Sequence, residues 1–310
     1  MPNENRATVS GGAPGAMRVE IPAVDVRAAL RDAMTEMRSA GVPSHALAAE
    51  LLLMHVMGRD RAWLYAHPEA PLDAEEARKY FELVTQRVAG TPTQYLTGKQ
   101  EFWGLEFEVT PAVLIPRPET EHIIEVAVKR LGKGGTSASL RIADVGTGSG
   151  CIAVSLALEF PHAEIIATDI SAAALAVAAQ NAARHNVAEH IHLLACNLLG
   201  AFASERGTFD MIVSNPPYVA RDQEAQLQRE VREHEPHEAL FFGLTGTEIY
   251  APLISQAAES LRSGGLLVLE IGYGALDRVR PLFSDSSAWI QIHVANDLAG
   301  IPRVISAQRA

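Results

Sequence analysis

Two cysteines, Cys151 and Cys196, are all that 310 residues carry, and they form no Cys-x-x-Cys pair. Zinc sites built on cysteine and thioredoxin-like redox chemistry are thereby excluded, and reduced, buried thiols are expected. Long hydrophobic runs are also lacking. A bilayer span needs about 20 apolar residues, and even residues 47–57 are broken by Glu50 and His55. Residues 1–17 are rich in Gly, Ala, Ser, Asn and Pro but have no apolar core of the kind a signal peptide needs. A disordered tail over residues 1–20 and a cytoplasmic location are therefore expected. Positive charge is in short supply, since 26 Lys and Arg against 37 Asp and Glu leave a formal net charge of −11. The basic residues, such as Arg59, Arg61, Arg78, Lys79, Arg87, Lys129 and Arg130, are scattered along helix faces beside acids and form no patch for a phosphate backbone. No internal repeat or long low-complexity tract is present.

The chain is long enough for two domains, and its 48% hydrophobic content suits packed cores. From residue 24 to about 90 the pattern is helical. Val26, Leu30, Ala33, Met34 and Met37 make one stripe, stopped by Gly41 and Pro43. Ser44 is expected to cap a second helix that buries Leu47, Leu51 and Met54 and stops at Gly58. After a short segment around Trp63 and Leu64, Asp73 and Glu76 form a capping box for a helix whose face carries Ala77, Tyr80, Phe81, Val84 and Val88. A helical domain over residues 21–98 with no clustered catalytic residues suits binding or positioning a partner. Residues 101–115 change period and predict a β-hairpin, with the linker placed at 99–116. Pro116-Arg117-Pro118-Glu119-Thr120-Glu121 then makes a constrained turn before a helix over 121–131 and a Gly/Ser-rich loop over 132–139.

Beyond that turn, short apolar runs at 140–145, 164–168, 192–195, 210–214 and 266–271 alternate with helical stretches such as 172–185 and 250–261. Alternation of this kind predicts an α/β domain over 117–310, a mostly parallel, Rossmann-like sheet with helices on both faces. Residues 289–294 and 304–308 have no helix between them and predict an antiparallel edge hairpin, bringing the sheet to seven strands.

Chemistry gathers where these strands end. Asp144-Val145-Gly146-Thr147-Gly148-Ser149-Gly150 follows the first strand and opens a helix whose N-terminal N–H groups can face a ligand. The glycine spacing lacks the gap of the dinucleotide fingerprint, so no pyrophosphate site is implied. Asp169 ends the second strand, where it can accept from ribose hydroxyls, or else cap the helix from Ser171 onward. After the third strand, Asn197 can offer its amide oxygen to an adenine amino group and Leu198 can cover the ring. Asn215-Pro216-Pro217-Tyr218 ends the fourth. Two successive prolines remove two N–H donors, Asn215 adds an acceptor and Tyr218 a flat face, a set that can grip a planar –NH2 group. Together the four strand ends make a crevice for S-adenosylmethionine.

With these residues in place, the chain resembles the HemK/PrmC family, the N5-glutamine methyltransferases of peptide chain release factors, from about Asp25 to Arg309. The likeness includes Tyr95-Leu96-Thr97-Gly98, Glu101-Phe102-Trp103-Gly104, Ile115 to Glu121, Asp144 to Gly150, Asn215 to Tyr218, Glu235-Pro236, Ala239-Leu240 and Arg303-Val304. It implies a class I S-adenosylmethionine-dependent methyltransferase that leaves S-adenosylhomocysteine as product. By resemblance, Gly146, Thr147, Gly148, Ser149, Gly150, Asp169, Asn197, Leu198 and Asn215 contact the cofactor. Asn215, Pro216, Pro217 and Tyr218 hold the glutamine of a Gly-Gly-Gln loop and carry the catalysis. Class I release factors are the implied partners of a monomer that binds neither membrane nor nucleic acid stably. The family usually has Asp where Asn197 stands, and Asn keeps an acceptor while losing the charge.

Several residues carry weaker suggestions. His234, Glu235, His237 and Glu238 imitate a metal cluster, but Pro236 interrupts any helical face, so a solvated loop and no metal are expected. Glu119 and Glu121 suit a helix N-terminus, and Arg117 can anchor a carboxylate of the cofactor or a partner. Two rival substrates share the clamp: a glutamine of a ribosomal protein, and the N6 of adenine in nucleic acid, which the net charge disfavours. A non-catalytic binding module is expected to have lost part of the glycine turn, Asp169 or the clamp, and all three are intact.

Overall fold

The computed structural model describes residues 24–132, 139–284 and 286–310. The expected tail over 1–20 and most of the Gly/Ser-rich loop, 133–138, lie outside the described residues. The chain divides into two compact units between Val84 and Thr85, inside a helix, whereas composition changes near Gly98.

In the first unit, α1 (Val26–Ser39) begins where Asp25 Oδ1 accepts from the Ala28 N–H at 2.7 Å. It buries Val26, Ala33 and Met37 of the expected stripe together with Ala29, and leaves Leu30 and Met34 half-buried. In α2 (His45–Met57) the buried face differs from expectation. Leu47 is 46% exposed, while Ala48, Ala49, Leu52 and Leu53 are buried. This helix is apolar nearly all round, so periodicity had no contrast from which to choose a face. Ser44 does not cap it, standing in the left-handed region with no side-chain bond. Helix α3 (Arg61–Ala66) is capped by Asp60 Oδ1, which accepts from Trp63 N at 2.7 Å. Helix α4 (Ala74–Val88) carries the predicted capping box: Asp73 Oδ1 accepts from Glu76 N, and Glu76 Oε2 from Asp73 N, each at 2.8 Å.

The second unit opens with α5 (Thr93–Thr97) and the antiparallel hairpin β1 (Lys99–Phe102) and β2 (Leu105–Glu108). Pairing stops at Glu108 rather than continuing to Ile115, because Thr110 and Pro111 turn the chain, with Val113 N donating to Thr110 O at 3.1 Å. A 3₁₀ turn over Pro118–Thr120 leads into α6 (Glu121–Leu131). Then come β3 (Arg141–Val145), α7 (Cys151–Glu159), β4 (Glu164–Asp169), α8 (Ala172–Arg184), β5 (Ile191–Ala195) and β6 (Phe209–Ser214). Two short helices, α9 (Arg229–His234) and α10 (His237–Leu240), precede α11 (Tyr250–Ser260), β7 (Leu261–Glu270), α12 (Leu276–Ser284), β8 (Trp289–Asn296) and β9 (Pro302–Arg309).

The seven strands lie in the order β5-β4-β3-β6-β7-β9-β8, parallel except for β9, which pairs antiparallel with both β7 and β8. The two last strands thus form the expected antiparallel edge, with β9 inserted beside β7. Both faces are covered, as the near-continuous apolar strands require. Ile142, Ile165 and Val213 pack on one side with Val154 and Leu156 of α7. Ala143, Val145, Ile212 and Leu267 pack on the other with Leu253 and Ala257 of α11. The hairpin is fastened to this body through Asn181 of α8. Its Oδ1 accepts from Glu108 N at 2.7 Å, and its Nδ2 donates to Glu108 O and to Ser149 O, both at 2.9 Å. Trp103 adds a bond from its backbone N to Glu121 Oε1 and another from Nε1 to Glu159 Oε1.

Candidate active site

Strand order reverses at β3, so the chain leaves β3 and β6 toward one shared crevice at their carboxyl ends, the position where open α/β sheets bind ligands. A cleft opens there. It is lined by Gly146, Thr147, Gly148 and Ser149 after β3, Asp169 after β4, Asn197 and Leu198 after β5, and Asn215, Pro216 and Pro217 after β6. Gly150 starts α7 just beneath it. The structure therefore brings together residues that are far apart in the chain and that sequence alone assigned to one site.

The local geometry of the glycine turn explains its residue types. Gly146, Gly148 and Gly150 all take positive φ, at 75°, 55° and 79°. A Cβ at Gly146 or Gly148 would meet no protein atom within 4 Å, whereas one at Gly150 would stand 3.0 Å from the Ala178 Cβ. The first two glycines bare backbone to the cleft, and the third lets α8 approach. Beneath the turn, Asp144 is fully buried. Its Oδ2 accepts from Thr147 Oγ1 at 2.7 Å, and its Oδ1 closes no hydrogen bond of normal geometry among the described residues, with the Ala153 N–H near enough to favour the charge. Burial pushes its carboxyl up to about 7, against the hydrogen bond from Thr147.

Asp169 braces the turn, each oxygen accepting a backbone N–H at 2.9 Å, Oδ2 from Gly148 and Oδ1 from Ser171. The N-cap of α8 is Ser171, whose hydroxyl accepts from Ala174 N at 3.2 Å, so Asp169 does not occupy the cap. Leu198 holds an uncommon left-handed conformation, φ 51°, while its carbonyl accepts from Thr168 Oγ1 at 3.1 Å and from Cys196 Sγ at 3.2 Å. Both cysteines border the cleft as free thiols, and burial pushes that of Cys151 up to about 12, away from nucleophilic chemistry.

A second cavity adjoins the first and shares Leu114, Arg117, Asn215, Pro216 and Ala239 with it. Tyr218 lines only this second cavity. Asn215 and Pro216 thus stand at the junction, with one cavity on each side. Asn215 Nδ2 donates to Thr120 Oγ1 at 3.0 Å, and no donor among the described residues reaches its Oδ1. Tyr218 donates its phenol proton to Glu270 Oε1 at 2.9 Å, and burial, then the Glu270 carboxylate, raises the phenol well above its ordinary value. A Cβ at Gly272 would stand 2.8 Å from the Tyr218 ring, so the strand end can carry no side chain there.

Glu235 corrects the expectation of a solvated loop. Its side chain is 1% exposed and paired with Arg117 at 2.6 Å, and its Oε2 accepts from Ile115 N at 3.3 Å. Apolar surroundings raise its carboxyl while Arg117 opposes the shift. Arg117 thus anchors a carboxylate from within its own chain. Glu121 sits at the start of α6, as its type suggests, and also takes the Trp103 N–H. Among the described residues no metal-holding group of three or more His, Cys, Asp or Glu occurs, and no helix is long and apolar enough to cross a membrane.

Thr120 and Glu270 were not singled out from the sequence. The signal available was an acid ending the apolar run of β7, where a buried charge demands partners.

S-adenosylmethionine fits the first cleft on donor chemistry: bare glycine backbone, a helix N-terminus, a carboxylate with lone pairs to spare and an amide at the far end. The model of the PrmC N-terminal domain matches residues 28–98, and that of the methyltransferase small domain matches residues 125–235. The release factor glutamine methyltransferase of Koribacter versatilis is 44% identical over 284 residues, 92% of this chain and 98% of that protein. The corresponding enzymes of Bradyrhizobium diazoefficiens and Nitratidesulfovibrio vulgaris are 38% and 39% identical, over 95% and 94% of their lengths. Among solved structures, the catalytic domain of hMettl16 in complex with MAT2A 3′UTR hairpin 6 superposes with a TM-score of 0.54 at 16% identity, covering 73% of this chain and 82% of that one, a likeness of fold. On identities of this size across nearly the whole of its relatives, the chain belongs to the release factor glutamine methyltransferase family.

Proposed function

We propose that this chain transfers a methyl group from S-adenosylmethionine to the side-chain amide nitrogen of the glutamine in the Gly-Gly-Gln motif of class I peptide chain release factors. The observation that carries this reading is the position of Asn215 and Pro216 on the border of two adjoining cavities. One has the donors for an adenosyl cofactor, and the other is open to a side chain entering from outside.

When bound, S-adenosylmethionine supplies a reactive methyl sulfonium, so the new N–C bond forms as the methyl–sulfur pair returns to sulfur and an amide proton leaves to water. The protein's task is position. Glycines 146, 148 and 150 let the α7 N-terminus and bare backbone face the cofactor, Asp169 accepts from ribose hydroxyls, and Asn197 and Leu198 receive adenine. A glutamine nitrogen is a weak nucleophile because its lone pair is delocalised into the carbonyl. Asn215 Oδ1 and the Pro216 carbonyl accept its two N–H bonds and aim it along the methyl–sulfur axis, a gain in proximity and orientation. Tyr218, held by Glu270, packs on the amide plane. No strong base is required, because alkylation makes the nitrogen acidic.

The test incubates the full chain with labelled S-adenosylmethionine and, separately, a release factor, the same factor with its motif Gln changed to Ala, a ribosomal protein and DNA. Label is expected on the unaltered release factor alone. Label confined to DNA or to the ribosomal protein overturns the reading.

A further inference from the structure

Between buried Phe241 and buried Ile249, residues 242–247 leave their two large apolar side chains in the open, Phe242 at 38% and Leu244 at 77% exposure. Hydrophobic burial therefore does little to fold this loop. A carboxylate does it instead. Glu248 stands directly before Ile249 and Tyr250, both locked in the core at the start of α11, and its Oε1 reaches back to accept from Leu244 N and Thr245 N, each at 2.8 Å. Hydrogen bonds to an ionised acceptor are stronger than neutral ones. The backbone N–H of Thr245 above all holds the Glu248 carboxyl down to about 2, so it is charged at neutral pH. Gly243 takes φ 66°, and a Cβ on it would fall 2.3 Å from the Glu248 carboxyl carbon, so the loop closes on the carboxylate at a residue type that leaves room.

The loop so folded closes around the backbone that follows Tyr218. In an extended chain the polar groups of residue 219 point one way and those of 218 and 220 the other. On the first side Val219 N donates to Leu240 O at 2.9 Å, and Phe242 N donates to Val219 O at 3.4 Å. On the second side Gly246 is pressed in, where a Cβ would stand 2.2 Å from the Tyr218 carbonyl oxygen and 2.9 Å from Ala220 N. Residues 218–220 thus pass through a collar made by 240–246, and Glu248 is its clasp. The collar also reaches the cofactor cleft, because Phe242 lines that cleft together with Asn215 and Pro217. One short loop therefore touches both halves of the site, the cleft through a ring and the clamp through backbone.

We infer that Glu248 is a positioning residue for methyl transfer: by closing the collar it holds Phe242 against the bound cofactor and Tyr218 in its place in the clamp. The inference rests on the reading above, in which the cleft takes S-adenosylmethionine and the clamp takes the glutamine. Phe242 contributes directly, since ring area that stands in water in the free protein is covered when the cofactor arrives. Glu248 contributes only through the loop. Its carboxylate is spent on two backbone N–H groups of its own chain and has no place against the cofactor or the substrate.

Amide exchange, ligand titration and turnover of the full chain separate this from ordinary structural support. Without ligand, Glu248→Ala should quicken exchange both at 244–245 and at 218–220, and Glu248→Gln, which keeps an oxygen acceptor, should restore slow exchange at both. Calorimetric titration with S-adenosylhomocysteine should show about fivefold weaker binding for Phe242→Ala and for Glu248→Ala alike, the effect of losing part of an aromatic face. The double variant should bind no more weakly than Phe242→Ala, because the two substitutions remove one contact. With a release factor as substrate, Glu248→Ala should lose about tenfold in kcat and Phe242→Ala less, since only the first loosens Tyr218. Exchange that quickens at 244–245 alone, wild-type affinity in Phe242→Ala, or losses that add in the double variant overturns the inference. A wild type that binds S-adenosylhomocysteine yet puts no label on the release factor overturns the proposed function instead, and the exchange and titration results still judge the collar.

Discussion

The protonation of Asp144 is tied to folding. Its native carboxyl keeps a proton up to about pH 7, whereas an unperturbed one releases it near 3.8, with burial the main cause. Between those values the native state binds more protons than the unfolded chain. The contribution of this group is complete below about pH 4 and is lost as pH rises through about 7. Asp144→Asn, which can still accept from Thr147, should therefore flatten the fall of stability over that interval, read from denaturation midpoints against pH. Equal slopes for the two proteins would remove Asp144 as the cause. At this scale the sequence was legible wherever a residue type carries its own instruction: Asn215 beside two prolines, Asp169 at a strand end, glycines in a turn. It was not legible at Thr120, Glu270 or Glu235. Those roles exist only because the turn after β2, the end of β7 and the end of α9 meet in space, and no local pattern encodes the meeting.

Among elements, legibility followed contrast. Helix α1 has a clear apolar stripe and a polar remainder, and its buried face followed that stripe at Val26, Ala33 and Met37, whereas α2 offers apolar side chains in every direction and its face did not come out as expected. The start of α4 was readable because a capping box is a local bond pattern, Asp73 and Glu76 exchanging backbone donors at 2.8 Å. Asp73→Ala should cost about 1 kcal/mol, the usual worth of an N-cap, and lower the urea midpoint of the full chain. An unchanged midpoint would show that Glu76 alone holds the helix start. Strand β7 began at Leu261, earlier than its apolar run, because pairing to β6 resumes at Phe209 beyond an irregularity in register. Arg262 to Gly265 fall within that irregularity, with no register partner in β6 or β9, and hydrophobic pattern is silent there.

For the whole molecule, the alternation of strands and helices was sufficient to give the doubly covered sheet, while the insertion of β9 between β7 and β8 needed the structure. The cleft is lined entirely by residues after Val84. S-adenosylhomocysteine at 100 times its Kd stabilises whatever it binds by about 2.7 kcal/mol. In amide hydrogen exchange, slowing is expected at the glycine turn, around Asp169 and at Asn215 to Tyr218, with residues 24–84 unchanged. Slowing within 24–84 of equal size would place cofactor contacts outside the cleft. The Asn181 side chain bears on such an experiment. Through it, one carboxamide on a helix does for Glu108 what a neighbouring strand would do, taking its N–H and supplying its carbonyl, and the same group reaches Ser149 in the glycine turn. A two-stranded ribbon is marginal by itself in water, but this one opens only when that joint opens. Hairpin and cofactor turn therefore form one cooperative unit, and ligand on the turn should be felt as protection at residues 99–108 that it never touches.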